Sequence, residues 1–373
     1  MGDRVDTTDA MISLDGVTKV FAGTSTPAVD ALSLQIPRGE LVVLVGPSGC
    51  GKTTTLKMIN RIIEPTSGTI TIDGHDVTSR PAFELRRDIG YVIQQIGLFP
   101  HRTIAQNVAT VPRLNGWGHD RIEARVDELM TLMDLDPGML QRYPAELSGG
   151  QRQRVGVARA LAADPPVLLM DEPYGAVDPL VRERLQDQLL ELQQDLHKTI
   201  VFVTHDIDEA IKLGDHIAIL NVGGIVEQYD TPEAILRSPA NDFVASFLGA
   251  ERSLKRLSLI PASSADLVRG PVVDALDSID DARRVAEVEG TDWVGVLDGQ
   301  RIRGWLWVNE LIPGKAVGDH DTRDFRVWIR AEESLRRAVD AIVNTRNQVA
   351  IVFDGDHYLG MLFIEAVSRE LLS

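Results

Sequence analysis

Short runs of β-branched and aliphatic residues alternate with longer stretches of helical periodicity from Ile12 to about Gly249. That alternation predicts a mostly parallel sheet covered by helices, an α/β architecture. Three of the apolar runs end in polar clusters. Leu41 to Val45 leads into Gly46-Pro-Ser-Gly-Cys-Gly-Lys52-Thr53, Val167 to Met170 leads to Asp171-Glu172, and Thr199 to Thr204 leads to His205. Ligands of open α/β sheets bind beyond the carboxyl ends of the strands, so the order and polarity predict that the three clusters converge on one site.

Between Leu98 and about Leu147 the period becomes helical, with Ile122, Val126, Leu129 and Met133 marking one face of the stretch Arg121 to Met133. A small helical subdomain is expected at about 98–150, interrupted by a loop at Asn115-Gly-Trp-Gly118. After Phe243 to Leu248 the texture changes. Residues 250–270, Ser253 to Gly270 above all, read as a connector rather than core. Beyond them lies an internal repeat. A shift of 56 positions lays Ser278 on Ser334, Ala282 on Ala338, Asp298-Gly299 on Asp354-Gly355, Gly304 on Gly360 and Leu306 on Leu362. Each copy (about 271–314 and 325–373) reads as a helix, a strand, an Asp-Gly turn and a second strand. A unit so small buries its apolar face only against a neighbour, so the copies are expected to pair within one domain, 271–373, separate from a larger one at 12–249.

Composition narrows the setting. A chain of 373 residues favours two domains, and one cysteine excludes an intrachain disulfide framework and suits a reducing compartment. The polar, acidic start from Met1 to Ala10 is unlike a signal peptide, and the apolar runs fall far short of the roughly twenty residues that span a bilayer. A membrane role therefore calls for a partner chain, and the reading is cytoplasmic. A formal net charge of −17 argues against broad nucleic-acid binding.

The chemistry begins at Gly46 to Thr53, which matches G-x-x-x-x-G-K-[ST] directly after a strand. Its glycines let successive N–H groups turn toward phosphate oxygens, Lys52 adds a point charge and Thr53 offers a hydroxyl to Mg2+. Cys50 reads as a small packing residue. Leu147-Ser148-Gly149-Gly150-Gln151 opens a helix whose free N–H groups suit an anion, or simply caps it. Asp171 can hold Mg2+ through water, and Glu172 can orient the water that attacks a γ-phosphate.

Taken in order, the phosphate loop, Gln94, Ser148 to Gln151, Asp171-Glu172, Ala176-Val-Asp178 and Thr204-His205-Asp206 resemble the ATPase subunit of an ABC transporter, a P-loop NTPase. The resemblance implies a head-to-tail homodimer that sandwiches two ATP molecules. Each would be held by Gly46, Pro47, Ser48, Gly49, Cys50, Gly51, Lys52, Thr53 and Thr54 of one subunit and by Ser148, Gly149, Gly150 and Gln151 of the other. It implies Glu172 as general base or water-positioning carboxylate, His205 on the γ-phosphate, Thr53, Gln94 and Asp171 at Mg2+, and Asp178 reporting across the seam. Phe21 stands where an aromatic residue stacks on adenine, packing being the other reading.

Within that superfamily, Ile89 to His101 and His197 to Lys212 are similar to the glycine betaine, carnitine and choline importers, a likeness over roughly the first 250 residues. It implies import of a quaternary-amine osmoprotectant, a membrane permease, an indirect extracytoplasmic substrate-binding protein, and a place at the cytoplasmic face of the membrane. Leu98, Phe99 and Pro100 are read as receiving a short permease helix or as core. The C-terminal repeat resembles tandem cystathionine-beta-synthase (CBS) domains, an α+β regulatory module that implies a nucleotide ligand, an ionic-strength sensor or a dimerisation clamp. Ribose-binding Ser/Thr and Asp of many CBS pairs are replaced here by Trp307 and Glu310 and by Phe363 and Ala366. Trp305 and Trp307 share a strand face and offer either a stacking surface or a buried pleat. Another solute, or a soluble ABC-type ATPase acting on nucleic acid or ribosomes, is the competing reading; one phosphate loop and no sustained heptads speak against the latter.

Overall fold

A computed structural model describes residues 10–93, 97–175, 177–325, 327–344 and 349–372. The chain separates into two compact units, Met1–Gly249 and Ala250–Ser373.

In the first unit a six-stranded sheet is built from β3 (Leu41–Val45), β6 (Ile89–Val92), β7 (Val167–Asp171), β8 (Thr199–Thr204), β9 (His216–Asn221) and β10 (Ile225–Asp230), in the order β10-β9-β3-β8-β7-β6. Every neighbouring pair is parallel except β9 with β10. All residues of β3, β7 and β8 are buried, which explains their unbroken aliphatic character: both faces of a parallel strand are covered. Register is set by Val45 opposite Thr204 and Asp171 opposite Val203, so the three strands end level with one another.

A second sheet departs from the mostly parallel expectation. Strands β1 (Ala10–Lys19), β2 (Val29–Pro37), β4 (Ser67–Ile72) and β5 (His75–Asp76) form an antiparallel sheet in the order β2-β1-β4-β5. Met11, Ile12, Leu14 and Ile36 of this sheet share one core with Val42 and Leu44 of β3 and with Leu56, Met58 and Ile59 of α1 (Lys52–Ile59). A short helix, α2 (Ala82–Leu85), precedes β6.

Between β6 and β7 lie α3 (Ile104–Val108), α4 (Thr110–Leu114), α5 (His119–Leu132) and α6 (Gly149–Leu161). Helix α5 turns Ile122, Val126, Leu129 and Met130 inward; Met133 is its buried C-cap. The unit continues with α7 (Pro179–Leu196), α8 (Ile207–Leu213), α9 (Pro232–Arg237) and α10 (Asp242–Leu248).

The second unit holds α11 (Arg252–Arg256) and two copies of one motif. One is β11 (Val272–Asp274), α12 (Ile279–Glu289), β12 (Trp293–Asp298) and β13 (Arg301–Trp307); the other is β14 (Trp328–Arg330), α13 (Leu335–Val343), β15 (Val349–Asp354) and β16 (His357–Phe363), followed by α14 (Ile364–Leu372). In both, the first strand pairs parallel and the hairpin antiparallel, with the register shift at the equivalent place, Val296/Leu297 and Val352/Phe353. Ser278 and Ser334 cap equivalent helices, and Gly299 and Gly355 take the left-handed conformation the Asp-Gly turn needs. Val272, Trp293 and Leu297 of one copy share a core with Val349, Ile351 and Met361 of the other. Trp305 and Trp307 meet edge to face, centroids 4.8 Å apart, and the Trp305 indole N–H donates to the Asp324 carbonyl at 3.2 Å. Both rings are half-buried against the core that the two copies share.

The connector expectation for 250–270 is corrected here. Leu257, Ala262 and Ala265 are buried with Ile329, Leu335, Ala338 and Leu362 in the second copy's core, because that copy leaves one helical face uncovered until α11 and the following turn close it. Leu257→Ala is expected to cost about 2–4 kcal/mol of stability, measured by urea denaturation of the full chain; a loss below about 0.5 kcal/mol would make the segment a tether after all.

Candidate functional site

The level ends of β3, β7 and β8 carry the three polar clusters, and two side-chain contacts tie them together. The Thr53 hydroxyl donates to Asp171 Oδ1 at 2.8 Å, joining the first turn of α1 to the end of β7. His205 Nδ1 lies 3.3 Å from Glu172 Oε2, joining the ends of β8 and β7. The convergence read from strand order is therefore present for Lys52-Thr53, Asp171-Glu172 and His205.

The loop between β3 and α1 wraps around the Lys52 ammonium, which donates to the Gly46 carbonyl at 2.7 Å and the Pro47 carbonyl at 3.0 Å. Lys52 is buried, its charge held by backbone dipoles. A Cβ at Gly46 would sit 2.1 Å from the Leu220 carbonyl oxygen, so only glycine allows the loop to pass the end of β9. Gly51, the residue before the helix, has φ +108°, the left-handed side that lets α1 begin with its free N–H groups facing the loop. Ser48 and Gly49 are exposed, Thr54 is half-buried, and Cys50 is fully buried, consistent with packing.

Asp171 is buried, and burial pushes its carboxyl above the usual range; the Thr53 hydrogen bond and the Lys57 and Lys52 charges oppose that rise, and Glu172 adds to it. Glu172 adopts a left-handed backbone (φ +43°), rare for a residue with a side chain, while its N–H still pairs with the Val203 carbonyl at 2.9 Å. The strand thus continues by one bond as the carboxylate turns toward His205. Strain of this kind is held by its surroundings and gathers where geometry matters.

Ser148 caps α6 through a reciprocal box: its hydroxyl accepts the Gln151 N–H at 3.3 Å, and Gln151 Oε1 accepts the Ser148 N–H at 2.9 Å. Gly149 faces open space. A Cβ on Gly150 would meet Val181 Cγ1 at 2.8 Å, so the tip of α6 lies against the first turn of α7, which Asp178 caps by accepting the Val181 N–H at 3.1 Å. No hydrogen bond among the described residues links Ser148 to Gln151 with the 46–53 loop of the same chain. Gln94 and Ala176 fall outside the described residues.

Phe21 is 41% exposed, with the Lys19 ammonium over its ring at 5.3 Å. Leu98 is half-buried and Phe99 and Pro100 are exposed. Buried Asn107 pins this loop: its Oδ1 accepts the Phe99 N–H at 2.7 Å and its amide donates to the Phe99, Arg102 and Thr103 carbonyls. Sequence reading missed Asn107, which stands beside Gln106 in α3 with nothing in the residues to mark it as the buried one of the two. Beside this loop α3, α4 and α5 enclose a groove of about 460 Å³ lined by Gln106, Arg113, His119, Glu123 and Val126. Gly46→Ala is expected to displace the loop and destabilise the ligand-free chain by about 1–3 kcal/mol, read as a lowered Tm; an unchanged Tm would show that the loop is free to move aside.

Comparison with known proteins agrees with this geometry. Residues 29–175 match the family model for ABC transporter. The chain is 46% identical to an osmoprotectant import ATP-binding protein of Salmonella typhimurium over 354 residues, 93% of this chain and 92% of that protein. It is 51% identical to a glycine betaine/carnitine/choline transport ATP-binding protein of Bacillus subtilis, covering 81% of this chain and 79% of the relative. A dimeric bacterial ABC transporter cassette, 37% identical, superposes with a TM-score of 0.55 over 60% of this chain and 99% of its own. A dimeric post-hydrolysis cassette bound to ADP and inorganic phosphate does so at 35% identity and the same TM-score.

Proposed function

The chain belongs to the ATP-binding subunits of ABC transporters, among those of osmoprotectant importers, and from that membership we propose that it hydrolyses ATP to drive import of a quaternary amine through a separate permease. One observation carries the solute class. The relatives whose similarity covers 80% or more of this chain, and so extends from the first unit into the second, are named for import of osmoprotectants or for transport of glycine betaine, carnitine or choline.

ATP is the ligand of the loop, with Gly46 to Thr54 around its phosphates and exposed Phe21 against the adenine. The hydroxyl of Thr53 and the carboxylate of Asp171, 2.8 Å apart, are hard oxygen donors that fit Mg2+, with Gln94 as a third. Bound there, Mg2+ would neutralise phosphate charge. Glu172, turned toward His205 by its left-handed backbone, orients the attacking water, and His205 beside it holds the γ-phosphate oxygen. Ser148 to Gln151 close over the nucleotide of a second copy, since the free N–H groups of α6 carry the positive end of a helix dipole and Gly149 leaves space for phosphate. Asp178, which caps α7 and holds the Val181 N–H beneath Gly150, reports across the seam.

Leu98, Phe99 and Pro100, held out by Asn107, receive a permease helix together with the adjoining groove. Among the described residues no helix is long and apolar enough to cross a membrane, so attachment to the cytoplasmic face runs through that permease, with an extracytoplasmic substrate-binding protein beyond it. The repeats act as a CBS-type regulatory pair that takes a nucleotide or responds to ionic strength; a cavity of about 440 Å³ beside Arg283, Asp292 and Trp307 suits a small ligand.

The solute class is tested by uptake in cells lacking this chain: glycine betaine, choline or carnitine uptake should fall and sulfate uptake should not, and the reverse would reassign the solute. Glu172→Gln should leave ATP affinity within about threefold, lower kcat by about 10²-fold or more and accumulate a dimer with ATP in sedimentation; unchanged turnover would remove Glu172 from the reaction. Gly149→Ala, whose added methyl meets nothing within its own chain, should leave Tm unchanged or slightly raised, since alanine favours the helix over glycine, yet reduce hydrolysis. Full activity in that variant would contradict a second copy at the α6 tip.

A further inference from the structure

Behind the histidine turn, three separate segments meet on one buried carboxyl. Glu209, in the first turn of α8, is 6% exposed, and its Oε1 accepts the amide of Gln186 on α7 at 3.0 Å. The Thr204 hydroxyl donates to the same carboxyl while accepting the Asp206 N–H at 3.0 Å, so it clasps the turn with His205 at its apex. Tyr174, two residues past Glu172, lies within electrostatic reach of Glu209, donates its phenol to the Leu185 carbonyl of α7 at 3.2 Å and packs on Phe202 of β8. Outside this knot, Arg182 and Asp206 at 3.8 Å and Lys212 and Asp187 at 2.7 Å bind the same two helices at the surface.

A carboxyl in such a place costs free energy that an aliphatic side chain would not, and burial pushes its pKa up, with the Thr204 and Gln186 hydrogen bonds opposing the rise. What it supplies in return is direction: hydrogen bonds fix the relative placement of segments that apolar contact lets slide. We propose that Glu209 is a positioning residue for hydrolysis, holding the Thr204 turn that sets His205 against Glu172 and, through Gln186, the helix headed by Asp178. The two ends of the site, γ-phosphate contact and seam contact, are thereby fixed to one internal point. This inference rests on the ATPase reading above.

The test is steady-state ATP hydrolysis by the purified full chain, with ATP Kd and Tm measured alongside. Glu209→Ala should lower kcat about tenfold or more, the cost of misplacing a reacting group by a fraction of an ångström, with ATP Kd within threefold. Glu209→Gln, which can still accept from Gln186 and meet Thr204, should keep at least a third of wild-type kcat. Gln186→Ala should lose kcat too, and combining it with Glu209→Ala should add little. A merely structural role predicts a lowered Tm with kcat per folded molecule unchanged, and that result, or a Gln variant as inactive as Ala, overturns the proposal. If Glu209→Ala does not fold, Thr204→Val decides: lost kcat at retained ATP Kd supports the positioning role, and retained kcat overturns it. Wild-type protein that fails to hydrolyse ATP would instead refute the ATPase reading itself.

Discussion

The parallel pairing of β3, β8 and β7 is the constraint on which the site depends. Because Val45 lies opposite Thr204 and Asp171 opposite Val203, the loop after each strand is delivered to the same edge. One residue of slip in either pair would move a lysine, a carboxylate or a histidine by about 3.3 Å, more than a hydrogen bond tolerates. All three strands are buried on both faces, so a one-residue slip would also turn every side chain into the opposite packing layer, where its shape does not fit. The Thr53–Asp171 and Glu172–His205 contacts are downstream of that register.

In the proposed dimer the site at that edge is half of an arrangement. Lys52 turns its charge into its own loop, Thr53 and Asp171 present hard oxygens, and Glu172 turns toward His205 from a strained backbone. The other helix tip, Ser148 to Gln151, is finished locally by its capping box and supported by the first turn of α7 through Gly150. A rigid, exposed helix end with its dipole unopposed suits an anionic ligand brought by another molecule.

Much of this was legible in the residues. Strands covered on both faces are unbroken aliphatic runs, so the polar clusters after Val45, Met170 and Thr204 could be placed at strand ends before any coordinates. The repeat was equally plain, since Ser278 and Ser334 cap helices and Gly299 and Gly355 turn hairpins at one fixed spacing. The antiparallel sheet was not, because β1 is bulged at Leu14/Val17 and its alternation breaks there. Leu257 and Ala262 sit in a short polar-looking stretch, and only the shape of the second repeat explains why they are swallowed. Glu209 stands three residues from Asp206 in a run of acids; which of them is buried depends on Gln186, distant in sequence and adjacent in space.

In the proposed dimer the phosphate loop of one copy faces the α6 tip of another across ATP. That arrangement is tested most directly by disulfide crosslinking of an equimolar mixture of Ser48→Cys and Gly149→Cys chains, the native Cys50 being buried. Rapid heterodimer crosslinking that requires ATP and is lost with ADP is the predicted result. Crosslinking that ignores nucleotide, or none at all in a preparation that hydrolyses ATP at full rate, would contradict it.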